Sequence, residues 1–268
     1  MARLGLRAVA NLVEDANTVE SVEALFLSDL KRSIELSNMK TTRLPSQTYK
    51  PSSLQCIRNM YYQVTGAPID KGLSNYSVVG ICNSGTDIHN RIQTYVAEMK
   101  ENGIDCEYID VGDYVISRGL PIEVVSKQGM ETKLYHKEYN ISFLCDGIIR
   151  YNGHYYILEL KTEASFKWTP RKGVDPKHYD QGTAYSALLG IDEVIFIYIN
   201  RDVLDMKAYM FVPTQEMKSA LLDKIAECDK YVSEETVPPK PRVSGKVCQY
   251  CSYRSRCEMD TDMSKELI

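Results

Sequence analysis

Three residues in one short segment carry the most distinctive chemistry of this sequence: Asp146, Glu159 and Lys161, within FLCDGIIRYNGHYYILELKT. Between them lies Asn152-Gly153, which predicts a two-residue hairpin turn because both residues tolerate the positive φ of a type I′ turn. That turn fixes a register. Asp146 stands six residues before Asn152 and Glu159 six after Gly153, so the carboxylates face each other across the hairpin with Cβ atoms about 5 Å apart. Like charges so placed destabilise a sheet unless a cation lies between them. The strand period of two puts Lys161 on the face of Glu159, and Tyr156, Leu158 and Leu160 on the other. An Asp opposite a Glu with a Lys one step along suits a hard divalent cation. Such an ion acidifies a water and neutralises charge building on a phosphate, so the pattern points to metal-dependent phosphodiester hydrolysis. A lone E-x-K is more often a solvated surface pair; the facing of Asp146 is what separates this one from it.

A second set of residues also has the spacing of ligands. Cys248-x2-Cys251-x5-Cys257 is a tight trio near the C-terminus, and a fourth thiolate is needed whether the group held is zinc or an iron-sulfur cluster. The chain has eight cysteines, no run of about 18 apolar residues, and an opening MARLGLRAVANLVED without the apolar centre of a secretory signal. The expected location is therefore cytoplasmic, where cysteines serve metals or catalysis more often than disulfides.

The hairpin segment resembles the D...E-x-K core of the PD-(D/E)XK nuclease superfamily, and specifically its RecB-type branch. That resemblance implies a restriction-endonuclease-like α/β core, ordered as helix, antiparallel-rich mixed sheet, helix and strand. It gives roles to further residues. His89, in GTDIHNRIQ, matches the upstream helical histidine that completes the metal site, and Gln181 and Tyr185, in YDQGTAYSALLG, match a Gln-x-x-x-Tyr motif that holds the lysine or the substrate strand. Asn90 departs from the pattern, standing where many relatives carry an acid. The implied ligands of Mg2+ or Mn2+ are His89, Asp146, Glu159 and the Leu160 carbonyl, with Lys161 positioning the attacking water. Cys56, in SSLQCIRNMYY, resembles the first cluster ligand of RecB-type iron-sulfur exonucleases, such as the CRISPR-associated RecB-type exonucleases and the AddB nuclease domain. The resemblance thus implies a 4Fe-4S cluster on Cys56, Cys248, Cys251 and Cys257, with zinc as the alternative, and a DNA exonuclease acting on single strands or ends in recombination, repair or CRISPR-type processing. Two alternatives stay open: a non-cleaving DNA-binding scaffold of this fold, and a zinc-stapled nuclease. The 192 residues between Cys56 and Cys248 would cost an unfolded chain about 4 to 5 kcal/mol to close, so such a cluster is expected to be a structural staple.

Elements must hold these residues in place. Val22, Leu25, Phe26, Leu30 and Ile34 recur at helical spacing between about Thr18 and Asn38 and predict an amphipathic helix that packs. Ser52 and Ser53 are expected to cap a short helix ending near Gly66, with Cys56 in its first turn. A helix is expected after Ser84, where Ser84 and Asp87 have capping-box spacing and Ile88, Ile92, Tyr95 and Met99 form a buried stripe. CEYIDV, DYVIS, ETKLYH, YNISFLCDGIIRY and YYILELKT read as strands of antiparallel hairpins. A helix from Tyr179 to Leu189 stops at Gly190, EVIFIYIN reads as a strand buried on both faces, KAYMFVP as another, and a capped helix runs from Thr214 to about Val232. The expected organisation is an N-terminal helical region (1–39), a nuclease core carrying Cys56 (40–235) and a cysteine-bearing tail (236–268).

Composition and charge bound the partner. The 268 residues are 44% hydrophobic and 25% charged, which excludes a disordered or fibrous chain, and the net charge of -4 taken alone speaks against nucleic acid. Local charge speaks otherwise: Lys40–Ile69 and Lys240–Cys257 hold nine basic residues and no acid. Lys167, Trp168, Arg171 and Lys172 add a basic loop with one stacking surface after the catalytic strand, so DNA is the expected partner. Tyr61, Tyr62 and Tyr179 are further stacking candidates, the first two equally suited to a core. Cys82, Cys106, Cys145 and Cys228 share no spacing and read as small hydrophobes.

Overall fold

The computed structural model describes residues 21–40, 47–70, 75–242, 245–249 and 251–266. Two compact units divide them: Val22–Lys40 with Tyr76–Cys82, and the remainder. The first holds helix α1 (Val22–Lys40), which forms as its periodicity predicts. Its stripe does not pack, for Val22, Leu25, Phe26 and Leu30 are exposed.

The larger unit contains both candidate sites. It runs α2 (Ile57–Val64), the later turns of α3 (Tyr76–Glu98), β1 (Cys106–Ile109), α4 (Val111–Ser117), β2 (Ile122–Gln128), β3 (Glu131–His136), β4 (Ile141–Cys145), β5 (Gly147–Tyr151), β6 (His154–Glu163), the short α5 (Ser165–Trp168), α6 (Tyr179–Leu189), β7 (Val194–Asn200), β8 (Met206–Phe211), α7 (Gln215–Ser233), α8 (Gly245–Gln249) and α9 (Arg254–Glu266). The strands make two sheets: a mixed five-stranded sheet ordered β1-β5-β6-β7-β8, and an antiparallel one ordered β2-β3-β4. Among the described strands only β6 and β7 run parallel.

Asn152 and Gly153 adopt φ of 48° and 82°, and the expected mirror register is observed from Tyr151 facing His154 to Gly147 facing Leu158. On one face of β6, Leu158 and Leu160 pack with Ile149 and Ile199 against Ile88, Ile92 and Val96 of α3 and Met99 just beyond it. On the other, Ile157 joins Phe196, Tyr198 and Tyr185 in the main core. Glu159, at 3% exposure, is buried on that second face. β7 is buried and α6 ends at Gly190 in the left-handed conformation, as predicted.

Several expectations fail for local reasons. DYVIS forms α4: Val111, Tyr114 and Val115 are buried at helical spacing, and the Asp110 carboxylate accepts the Asp113 N–H. IEVVSKQ forms the unanticipated β2. Helix α3 begins at Tyr76, with Asn75 accepting the Ser77 N–H, so Ser84 lies inside it and Tyr95 points outward. Ser52 and Ser53 sit in a 3-10 turn (Pro51–Ser53), and Cys56 is the residue before α2, not one within it. The long run YNISFLCDGIIRY is divided at Asp146, where the chain leaves one sheet and enters the other. No described helix is long and apolar enough to cross a membrane.

Candidate active site

Asp146 is the single residue between β4 and β5, and that joint is held from three directions. The buried Gln93, one turn beyond His89 on α3, donates Nε2–H to the Asp146 carbonyl at 2.6 Å. The Tyr108 hydroxyl lies 3.3 Å from the same carbonyl and 3.2 Å from the Met130 carbonyl. Gly147 is required here, since a Cβ at that position would lie 2.7 Å from the Tyr108 ring. The Asp146 side chain then spans two elements: Oδ2 accepts the Leu160 N–H at 2.6 Å, and Oδ1 stands 3.6 Å from His89 Nδ1. Within a strand the N–H and C=O of one residue leave on the same side, so the Leu160 carbonyl also leaves toward Asp146.

Glu159 is the centre of a closed network. Its Oε1 accepts from Lys161 Nζ at 2.5 Å and from Gln181 Nε2 at 2.7 Å. Lys161 also donates to Gln181 Oε1 at 2.9 Å, Gln181 to the Tyr185 hydroxyl at 2.9 Å, and Tyr185 to the Leu144 carbonyl at 2.6 Å. Gln181 and Tyr185, four apart on α6, thereby orient the lysine and the glutamate together. The other carboxylate oxygen, Glu159 Oε2, is buried and has no partner among the described residues. A buried charged atom without a partner is costly and is the kind of atom that a cation satisfies.

Electrostatics agree with that geometry. Burial pushes the Glu159 carboxyl up to about 7, Lys161 opposes the rise and Asp146 adds to it. Burial would lower His89, but its contact with Asp146 outweighs this and its pKa is raised. Glu131, which spacing had not singled out, is raised by burial and then by Asp146. Its signal is the register of the second ladder, where Thr132 faces Cys145, so the next pair outward is Glu131 with Asp146. Among the described residues no group of three or more His, Cys, Asp or Glu is arranged to hold a metal ion as the side chains stand. The Lys161 ammonium is the cation now bound to Glu159.

A stability measurement follows from Glu159. Its folded pKa lies above its unfolded value of 4.5, so its contribution is fully present below that value and is lost as pH rises toward 7. His178, lowered to about 3 mainly by burial, acts in the opposite sense. The expected result, in EDTA, is that Glu159→Gln becomes more stable relative to wild type between pH 4.5 and 7.5, by about 2–3 kcal/mol in urea unfolding. A difference that does not change with pH would contradict the burial of this carboxylate.

The basic loop proves to be of two kinds. Lys167 and Lys172 are exposed. Arg171 does not face outward: its guanidinium bonds both oxygens of the buried Glu163, reaches Asp175 at 3.2 Å and lies 4.1 Å over the Tyr198 ring. Trp168 donates its indole N–H to the Tyr198 carbonyl at 2.8 Å and has Lys207 over its ring at 4.1 Å. Both are fasteners, because a loop ending on a buried carboxylate needs a cation there. Arg171→Ala is accordingly expected to cost about 3–5 kcal/mol of stability in urea unfolding, by leaving Glu163 buried and unpaired, with no compensating change if DNA is present. Tyr61 and Tyr62 are core, and Tyr179 stacks on Phe211 at 4.9 Å. The aromatic ring that faces solvent here is Phe166, 74% exposed, which sequence reasoning passed over.

The four selected cysteines approach one another from opposite ends of the chain. The Cys56 thiol is raised by burial and also by Cys251 and Cys257, with the Asn59 and Arg58 amides opposing the rise. Cys251 is raised by burial and also by Cys257 and Cys248. Side-chain N–H groups turn toward sulfur: Asn59 Nδ2 to Cys251 at 3.5 Å and Arg58 Nη1 to Cys257 at 3.4 Å. Arg58, counted in sequence among the surface cations, is buried and also holds the Pro238 and Cys257 carbonyls. Tyr62 donates to Asp260 at 2.8 Å, so the polar tail is fastened to α2. Of the other cysteines, Cys106, Cys145 and Cys228 are buried as expected, whereas Cys82 is exposed.

No protein-family model matches the sequence, and no curated protein matches it. Among solved structures the chain is similar to SSO0001, at 18% identity and a TM-score of 0.47 over 87% of this chain and 96% of that one. It is also similar to LHK-Exo in complex with dAMP, at 11% identity and a TM-score of 0.40 over 71% of this chain and 90% of that one. The alkaline exonuclease LHK-Exo from Laribacter hongkongensis aligns at 10% identity and a TM-score of 0.37 over 70% and 89%.

Proposed function

We propose that the protein is a metal-dependent DNA exonuclease acting on single strands or DNA ends. The observation that carries this reading is the unpartnered buried oxygen of Glu159, beside Asp146 and His89 and with Lys161 on the same carboxylate. His89, Asp146, Glu159 and the Leu160 carbonyl would hold Mg2+ or Mn2+. Bound there, the ion supplies charge neutralisation on the phosphate and acidification of a water.

The chain's own residues do the rest. Gln181, fixed by Tyr185, bonds both Lys161 and Glu159, so the lysine is held at the edge of the site, on the opposite oxygen from the one that would face a cation. There its ammonium orients the water in line with the phosphorus and compensates the charge that develops on the phosphate. Gln93 and Tyr108, by holding the Asp146 backbone, keep the carboxylate aimed at the site. Glu131 adds a further negative charge that favours a divalent over a monovalent cation.

The cysteines are proposed to carry a 4Fe-4S cluster, held by Cys56, Cys248, Cys251 and Cys257, that staples the tail to α2. The donor set is four thiols, with backbone and side-chain N–H groups directed at three of them as they would be at ligating thiolates; burial raises Cys56 and Cys251, so a bound metal would have to supply the charge that keeps them deprotonated. The test of the catalytic assignment is Mn2+-dependent degradation of end-labelled single- and double-stranded DNA by wild type, Glu159→Gln and Lys161→Ala. Undiminished cleavage by folded variants overturns it.

A further inference from the structure

Immediately beyond Lys161 the end of β6 opens into a recess of about 100 Å3, lined by Thr162, Glu163, Phe166, Lys167, Lys177 and Arg201. Its charge is positive. Glu163 is consumed by Arg171, while the other acids nearby are engaged mainly elsewhere and touch the recess cations only loosely, Asp175 with Lys177 at 3.6 Å and Asp202 with Arg201 at 3.9 Å. It adjoins the catalytic centre, for Thr162 and Glu163 of its wall follow Lys161 directly in β6.

Phe166 is the unusual member. An apolar ring this exposed gains nothing for folding, yet the turn that carries it is firmly anchored. Ser165 Oγ bonds Asp202 at 2.7 Å and Asn200 at 3.1 Å, the Ser165 N–H bonds Asp202 at 2.8 Å, Trp168 bonds the Tyr198 carbonyl, and Lys207 Nζ reaches the Trp168 and Thr169 carbonyls at 3.0 Å each. A rigid mount with an exposed aromatic ring, over which Lys167 Nζ lies at 5.8 Å from the centroid, beside two further cations, is a stacking platform next to a phosphate cradle. A base inside a duplex, stacked on both sides, has no free face to offer it.

We propose that this recess takes one unpaired nucleotide of the DNA strand next to the cut, its phosphate on Lys167, Lys177 and Arg201 and its base on the Phe166 ring. This rests on the nuclease reading and adds to it a preference for unpaired DNA and the residues that set it. The test is fluorescence anisotropy of full-length protein in EDTA, where no cutting occurs, with a labelled oligothymidylate and a labelled blunt hairpin duplex. Phe166→Ala is expected to weaken oligothymidylate binding about 5- to 100-fold and duplex binding by less than about twofold, with Phe166→Trp restoring it. Lys177→Gln and Arg201→Gln are each expected to reduce the slope of log K against log salt by about 0.7 on the single strand. The proposal is overturned if Phe166→Ala binds the oligothymidylate as wild type does, or if single strand and duplex weaken alike. Should wild type bind and respond as expected but fail to degrade DNA with Mn2+, the nuclease reading falls and the recess stands. If it degrades DNA while Phe166→Ala changes nothing, the reverse holds.

Discussion

Glu159→Gln is expected to lower Mn2+-dependent DNA cleavage by about a thousandfold or more, with the protein folded and at neutral pH more stable than wild type. The two halves of that result come from one atom. Among the described residues Glu159 Oε2 is buried without a partner, so the charge on this carboxylate is a cost to the fold by itself and an asset only beside a cation. Replacing the carboxylate with an amide removes the cost and the asset together. Lys161→Ala is expected to cut activity to a similar degree by a different route. The lysine bonds Oε1 of the carboxylate whose other oxygen, Oε2, would face a cation, so its loss removes a neighbouring positive charge and Mn2+ binding is retained or tightened. Isothermal titration with Mn2+ separates the two: binding lost in Glu159→Gln, kept in Lys161→Ala, activity lost in both. If Mn2+ binds Glu159→Gln as it binds wild type, the metal site has been placed on the wrong carboxylate.

The hairpin was legible because its register depends on a local fact, the tolerance of Asn152 and Gly153 for positive φ. The ladder from Tyr151–His154 to Gly147–Leu158 then follows with no tertiary information. Helix α6 was legible for the same kind of reason, its end being marked by Gly190. What could not be read was how side chains are shared out between elements distant in sequence. Arg171 and Lys167 look alike in a basic loop, and only the fold reveals that Glu163 lies buried beneath the first of them. Trp168 and Phe166 are equally plausible stacking rings until Tyr198 claims the indole N–H. In the same way Arg58, one of nine cations in two arms without acids, is buried at the cysteines. Gln93 carries no motif, and its role exists only because α3 crosses the joint between two sheets. Charge counted along a chain therefore overstated the surface available to DNA, while missing Arg201 and Phe166 at the recess.

Cys56→Ser is expected to abolish iron incorporation and lower the melting temperature by about 10 °C or more, the largest stability effect of any single change proposed for this chain. The argument is topological. The tail after Pro238 is fastened to α2 by a few bonds, from Arg58 to the Pro238 and Cys257 carbonyls and from Tyr62 to Asp260. A group bound by Cys56 and the trio at 248, 251 and 257 would close a loop through nearly the whole larger unit. Such a closure removes about 4 to 5 kcal/mol of entropy from the unfolded chain, and in a protein of this size each kcal/mol shifts melting by about 2–4 °C. Cys228 supplies the control. It is fully buried, and its thiol senses Cys56, but it lies outside the spaced set, so Cys228→Ala should cost only a small cavity and keep full iron. Anaerobically purified wild type is expected to be brown with about four irons per chain. Colourless protein containing zinc would transfer the same staple to a zinc ion. Undiminished iron in Cys56→Ser would remove Cys56 from the ligand set and, with it, the tie between the two ends of the chain.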